Sequence, residues 1–284
     1  MLLAVASGFS KTALMVAGYR ARATARAGSI CRDPYAAALA GEEGLELSRN
    51  YDRVYPIGEL YTSVRTAFID GEVIAAIRRG MQRIVILGAG MDTRAARLGH
   101  EGVRFYEVDG AASQDEKLRR LRSIADYPID AATYVSCDFE REDFVERLTE
   151  KGFSTAEPAF IVWEGVVCYL TEAAVRATLQ RIANACEPST MVLFDYFSKK
   201  LTEGRSKRAD DEAMREWLEG LGEPLRFGIN DVLPLLYEEG FRHVRTLSFD
   251  EACLTLTGTY DRERMFRFPR LALASAAPPE TVRE

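Results

Sequence analysis

Histidine is nearly absent from this sequence: His100 and His243 are the only two among 284 residues. A histidine-built metal centre is therefore not expected. The five cysteines, Cys31, Cys137, Cys168, Cys186 and Cys253, form no C-x-x-C pair, and an odd number cannot close into a complete disulfide set. No block of lysine or arginine occurs, and a net charge of −6 is spread over interspersed signs. A nucleic-acid partner is not expected. No run approaches the ~20 apolar residues that span a membrane, so no membrane partner is expected either. The opening stretch to Gly28 has no basic segment ahead of its apolar residues, and Ser7, Ser10 and Lys11 interrupt them. It reads as a surface helix rather than an export signal. A reduced, cytoplasmic setting follows as the default.

What is present fits a folded α/β protein. Hydrophobic residues make up 47% and charged residues 28%, enough apolar material for a large core. Residues 10–27 read as a helix, Asp33-Pro34-Tyr35 opens a short second one, and 60–79 form a longer one ending at Gly80. From Arg83 the pattern alternates. Apolar runs at 83–87, 103–108, 132–137, 159–164 and 190–196 read as buried strands, separated by helices at 92–98, 113–125, 140–151 and 172–186. That order predicts a mostly parallel sheet with helices on both faces. Residues 199–228 are polar and helical, an apparent insertion. A helix at 231–239 and a strand at 241–247 follow, 250–266 stay ambiguous, and 268–274 read as an antiparallel edge strand before a frayed tail, SAAPPETVRE.

The chemistry-bearing residues fall at strand ends. Gly88 and Gly90 follow the first strand, where glycine lets the backbone approach a ligand closely. The third glycine of a dinucleotide fingerprint is missing, because position 93 is threonine, which disfavours a nicotinamide cofactor. Asp109 ends the second strand about 20 residues after Gly88, the spacing of a ribose-gripping acid. Asp138 and Phe139 follow the third strand, where an adenine would lie. Glu164 ends the very apolar fourth strand, where a carboxylate is costly unless paired or facing a ligand. These tips share the carboxyl edge of one sheet, the ligand edge of open α/β folds. Together they predict an adenosine-bearing cofactor.

The run from Leu87 to Arg94, with Glu107-Val-Asp109, Cys137-Asp-Phe139 and Glu164 to Leu170, resembles the leucine carboxyl methyltransferase family. Thr12-Ala13-Leu14 and Asp33-Pro34-Tyr35-Ala36 resemble the N-terminal signature of its bacterial branch, which includes polyketide-tailoring enzymes. The resemblance implies a Rossmann-like class I methyltransferase: a mostly parallel seven-stranded sheet with helices on both faces. It also implies S-adenosylmethionine as cofactor. Arg65 would clamp the methionine carboxylate, Gly88 and Gly90 would lie under the cofactor, and Asp109 would hold the ribose. Asp138 and Phe139 would border the adenine, and Glu164 would face the methionine ammonium.

The expected acceptor is a small-molecule, natural-product-like carboxylate, received near Arg49, Arg53 or Arg205. It is already ionised near neutrality and needs no base. A phenolic hydroxyl is the alternative acceptor, with Tyr169 or His243 as the catalytic candidates; a nicotinamide-dependent oxidoreductase is the remaining one. Asp138, Asp195 and Glu164 could suggest a metal site, but Asp195 reads more simply as a strand-end residue, and no metal is expected. Residues 1–80 are expected to form an N-terminal helical cap and 81–284 the cofactor-binding core. Residues 1–45 and part of 199–228 would act as a lid. Oligomeric state leaves no mark on this sequence.

Overall fold

The computed structural model describes residues 9–259, 266 and 268–278. The first eight residues of the N-terminal reading and the end of the tail therefore lie outside the described residues. Seven strands form one sheet: β1 (Arg83–Leu87), β2 (Arg104–Asp109), β3 (Ala132–Ser136), β4 (Phe160–Trp163), β5 (Met191–Phe197), β6 (His243–Ser248) and β7 (Pro269–Ser275), in the order β3-β2-β1-β4-β5-β7-β6. The first five strands run parallel. β7 is antiparallel, as its sequence predicts, but it is not the edge. It lies between β5 and β6, and β6 takes the edge. The burial pattern carries the reason: β7 is buried at every position but Arg270, whereas β6 has no fully buried residue.

Strand alternation divides the core into two layers. Val85 and Leu87 point to one face and join Val175, Leu179 and Ile182 of α7 (Glu172–Ala185), with apolar residues of α6 (Phe144–Thr149) and α10 (Leu233–Glu238). Ile84 and Ile86 point to the other face. There they meet Val64, Phe68, Ile69 and Val73 of α3 (Gly58–Arg78) and Phe249 of α11 (Phe249–Thr257). Each such side chain contributes about 1.5–3 kcal/mol when fully buried. The sequence groups residues 1–80 as a cap, yet α3 is a covering layer of the sheet. Only α1 (Lys11–Thr24) and α2 (Ala36–Tyr51) lie beyond it.

α2 is longer than the short helix expected and is kinked at Gly41 (φ 58°). α1 and α2 cross in backbone contact: a Cβ on Gly18 would fall 2.1 Å from the Gly44 carbonyl oxygen. The remaining helices are α4 (Arg94–Leu98), α5 (Ala111–Leu121), α8 (Lys199–Thr202) and α9 (Ala209–Gly220). The 199–228 segment is thus helical only in its first two thirds. Met214 and Leu218 of α9 pack with Met15 and Tyr19 of α1, so the two segments outside the sheet share a core of their own. Among the described residues no helix is long and apolar enough to cross a membrane.

Candidate functional site

A cavity of about 1600 Å³ opens where the carboxyl ends of the parallel strands meet α1, α3 and the 199–228 segment. Pockets for one ligand are roughly 300–1,000 Å³, so this one has room for two. Arg65, Gly88, Gly90, Asp109, Asp138, Phe139 and Glu164 all line it, and so does Tyr169.

The turn after β1 is shaped by its neighbours. Gly88 and Gly90 have positive φ, 66° and 46°, a region costly for other residues. A Cβ on Gly88 would lie 2.2 Å from Val166 Cγ2, and one on Gly90 would lie 2.9 Å from Ala13 Cβ of α1. Asp109 Oδ2 accepts from Gly90 N at 2.5 Å and Oδ1 from Gly110 N at 2.7 Å. Burial pushes its carboxyl up, and the two amides draw it back. Asp109 therefore fixes two loops, while each oxygen keeps a lone pair for a hydroxyl in the cavity.

Thr93, standing where a dinucleotide fingerprint has glycine, donates its hydroxyl to Asp33 Oδ2 at 2.8 Å. Asp33 is buried and also takes Arg20 Nε at 2.9 Å, and Arg20 donates to the Met91 carbonyl at 2.5 Å. The Asp-Pro-Tyr segment is more than a helix start: it fastens α1 to the glycine turn.

Glu164 is held by two arginines. Its Oε1 lies 2.7 Å from Arg65 Nε, an ion contact without hydrogen-bond alignment, and its Oε2 lies 2.7 Å from Arg94 Nη1. Burial alone would raise the Glu164 carboxyl, but Arg94 and Arg65 leave it lowered. Arg94, which the sequence offers no reason to single out, is 2% exposed and also binds Asp70 and Asp92. Burial pushes the Asp92 carboxyl up, yet Arg94 above all holds it down at about 2. Asp195 is no mere strand-end residue. It accepts from Arg65, Tyr61 and Gly165 N.

Asp138 is exposed; its Oδ1 accepts from Glu140 N at 3.0 Å, which leaves Oδ2 turned to a loose contact with Arg141 at 3.6 Å. Phe139 is half-buried against Phe144. Tyr169 ends a single 3-10 turn after Glu164. Burial pushes its phenol well above its ordinary value, so it can donate a hydrogen bond but cannot serve as a base near neutrality. His243 is misplaced for catalysis. It is exposed at the start of β6 and pairs with Ser275, which faces Met191 at the amino end of β5, the sheet edge opposite the cavity. The residue type, not its position, suggested it. Arg49, Arg53 and Arg205 do not line the cavity; among the described residues the cations that do are Lys11, Arg20, Arg65, Arg208 and Arg226. Beyond the glycine turn the wall carries apolar and aromatic side chains, Met15, Tyr51, Tyr55, Tyr61, Met214 and Leu218, with the carboxylates of Asp210, Asp211, Glu219 and Glu223 among them.

A sequence model of the leucine carboxyl methyltransferase family matches residues 13–183, from α1 through most of α7. The chain belongs to the leucine carboxyl methyltransferase family. Its relatives include a protein of Streptomyces avermitilis, 39% identical over 186 residues (62% of this chain and 65% of that one). Another, from Mycolicibacterium smegmatis, is 30% identical over 246 residues (82% and 79%). Both are named for S-adenosyl-L-methionine-dependent methyltransferase activity. Among solved structures, a DUF574 family protein from S. avermitilis superposes with a TM-score of 0.63 at 12% identity, covering 92% of this chain and 97% of that one. A Thermobifida fusca structure described as a methyltransferase gives 0.63 at 12%, covering 95% and 96%. The architecture is thus the Rossmann-like fold of class I methyltransferases.

The family's cofactor fits the donor side of the cavity. Glycines at positive φ leave the turn without side chains, Asp109 offers lone pairs, and the Arg65 and Glu164 pair presents one charge of each sign to an amino acid's carboxylate and ammonium. Calorimetry is expected to show binding of S-adenosylmethionine and S-adenosylhomocysteine and no heat with NAD, since Thr93 fills the place of the pyrophosphate glycine. Binding of NAD alone would reverse this assignment.

Proposed function

We propose that this S-adenosylmethionine-dependent methyltransferase esterifies the carboxylate of an apolar small-molecule acid. One observation carries the reading: the acceptor wall combines aromatic and aliphatic side chains with the exposed cations Lys11, Arg208 and Arg226, set beside Asp210, Asp211, Glu219 and Glu223, and among the described residues it has no histidine. Arg226 and Arg208 are loosely paired, each 3.5 Å from a carboxylate, and the Lys11 ammonium has no described partner. Lys11 is the cation best placed to draw an acid in. A carboxylate is a nucleophile without a base, whereas a phenol of pKa about 10 would need one, and Tyr169 is unfit for that work.

When bound, S-adenosylmethionine supplies a sulfonium methyl to a nucleophile held in line. The chain's own residues orient and exclude water. Arg65 is assigned to the methionine carboxylate, Glu164 to the ammonium, Asp109 to the ribose, and Asp138 with Phe139 to the adenine side. Tyr51, Tyr55 and Tyr61 would seat the acceptor. The rate is expected to stay flat from about pH 6 to 8, because the acceptor is already ionised, and the product is expected to be base-labile. A log-linear rise with a base-stable ether would favour a phenolic acceptor instead.

The same reading makes α1–α2 and the 199–228 segment a lid. Glu223 supports it by joining the two. Its Oε1 accepts from Lys11 N at 2.8 Å and Thr12 N at 3.1 Å, and its Oε2 accepts from Ser10 Oγ at 2.9 Å and Thr12 Oγ1 at 2.5 Å. Glu223→Ala is expected to speed tryptic cleavage after Lys11, and S-adenosylhomocysteine is expected to slow that cleavage in the parent. Equal rates in all three samples would count against a lid.

A further inference from the structure

Asp195 does not line the cavity and is 3% exposed, yet it is joined to three groups that do. Its Oδ2 accepts from Arg65 Nη1 at 3.0 Å and from the Tyr61 hydroxyl at 3.2 Å. Its Oδ1 accepts from Gly165 N at 2.6 Å. The Tyr61 hydroxyl in turn accepts from Arg65 Nη1 at 3.1 Å, closing a triangle on that one nitrogen. The guanidinium lies against Gly165: a Cβ there would come within 3.1 Å of Nη1 and 3.4 Å of Nη2, and the residue has a φ of 68°. Nε faces Glu164 at 2.7 Å. Nη1 of Arg65 is therefore held by two hydrogen bonds and Nε by an ion contact. No described residue takes a hydrogen bond from the third, Nη2, and Arg65 lines the cavity.

A guanidinium is planar, so fixing Nη1 and Nε fixes where Nη2 points. An arginine on a helix otherwise samples many rotamers, and ordering it at the moment of binding would cost affinity. We infer that Asp195 is the positioning residue for Arg65. It holds the plane of the guanidinium so that the Nη2 edge is presented to the carboxylate of the methionine portion of the donor. This rests on the assignment of Arg65 to that carboxylate. Through Gly165 N the same side chain also fixes the turn that follows Glu164, so the partners for both ends of an amino acid are set from one buried point. The chain folds this way because β4 and β5 are neighbours in register, with Trp163 opposite Phe194, which brings position 195 beside the turn after β4.

The test compares two ligands on the full-length chain by calorimetry: S-adenosylmethionine and its decarboxylated analogue, which keeps the sulfonium and the amine. Asp195→Asn is near-isosteric. Its amide oxygen can still accept from Gly165 N, but its NH2 cannot accept from Arg65. The parent is expected to prefer S-adenosylmethionine. In the variant that affinity is expected to fall about tenfold, the scale of one charge-assisted hydrogen bond, with less than about a twofold change for the analogue. Equal losses for both ligands would mark a merely structural role and overturn the inference. So would a parent preference carried unchanged into the variant. A parent that binds both ligands alike would overturn the Arg65 assignment itself, and this inference with it. If Asp195→Asn does not fold, Arg65→Lys decides. It keeps a charge beside Asp195 but has no plane to be held, and a preference for S-adenosylmethionine undiminished there overturns the inference.

Discussion

Arg65→Ala is expected to lower stability as well as cofactor affinity. The family resemblance makes Arg65 only a clamp on the methionine carboxylate. In the structure its side chain is 6% exposed and sits between Glu164 and Asp195, whose side chains are 11% and 2% exposed. Burial alone would make the guanidinium easier to deprotonate, yet Tyr61, Glu164 and Asp195 together push its pKa well up, a measure of how firmly the charge is held. Removing it leaves Asp195 with only a hydroxyl and an amide, and leaves Glu164 to Arg94. Breaking a buried pair from one side costs about 3–5 kcal/mol. Urea unfolding of parent and variant measures this, and an unchanged midpoint would show that the guanidinium is not clamped. The slope should stay the same, because the folded and unfolded surfaces do not change.

Gly88→Ala is expected to be of similar size for a different reason. Its φ of 66° costs an L-residue about 1–2 kcal/mol. The new Cβ would also fall 2.2 Å from Val166 Cγ2, and overpacking of that kind costs about 1–3 kcal/mol more. The two parts separate in a double variant. Val166→Ala removes the obstructing methyls, so Gly88→Ala/Val166→Ala should recover the packing part and keep the backbone part. A double variant no better than the single one would place the whole cost in the backbone. Cofactor binding should be lost in both, because the turn cannot keep its shape.

The parts legible in the sequence are those set by local pattern. Apolar runs bounded by glycine mark β1 and β4, and an acid at the tip of β2 marks Asp109, because alternation and turn chemistry act over a few residues. The parts that were not legible depend on partners far along the chain. Thr93 looks like a missing glycine until Asp33 is placed beside it. Arg94 looks like the end of a motif until Asp70, Asp92 and Glu164 surround it. Asp195 looks like a strand end until α3 delivers Arg65. α3 passes for part of a cap because it precedes the first strand, although its apolar residues belong to the sheet. His243 was attractive only as one of two histidines, and its strand lies at the far edge.

The place of β7 bears on how the chain is made. β5 is an inner strand, with β4 on one side and β7 on the other, and its partners there run from Met191 opposite Ser275 to Phe197 opposite Pro269. During synthesis β4 and β5 emerge together, but residues 269–275 emerge some 75 residues later. Until then the nascent sheet carries a bare, strongly apolar strand edge, which is the feature most prone to pair with a neighbouring chain. Such long-range pairing also closes slowly. The last strand is thus the piece that ends the vulnerable period of the newborn protein, and β6 beyond it, with no fully buried residue, makes a safer final border.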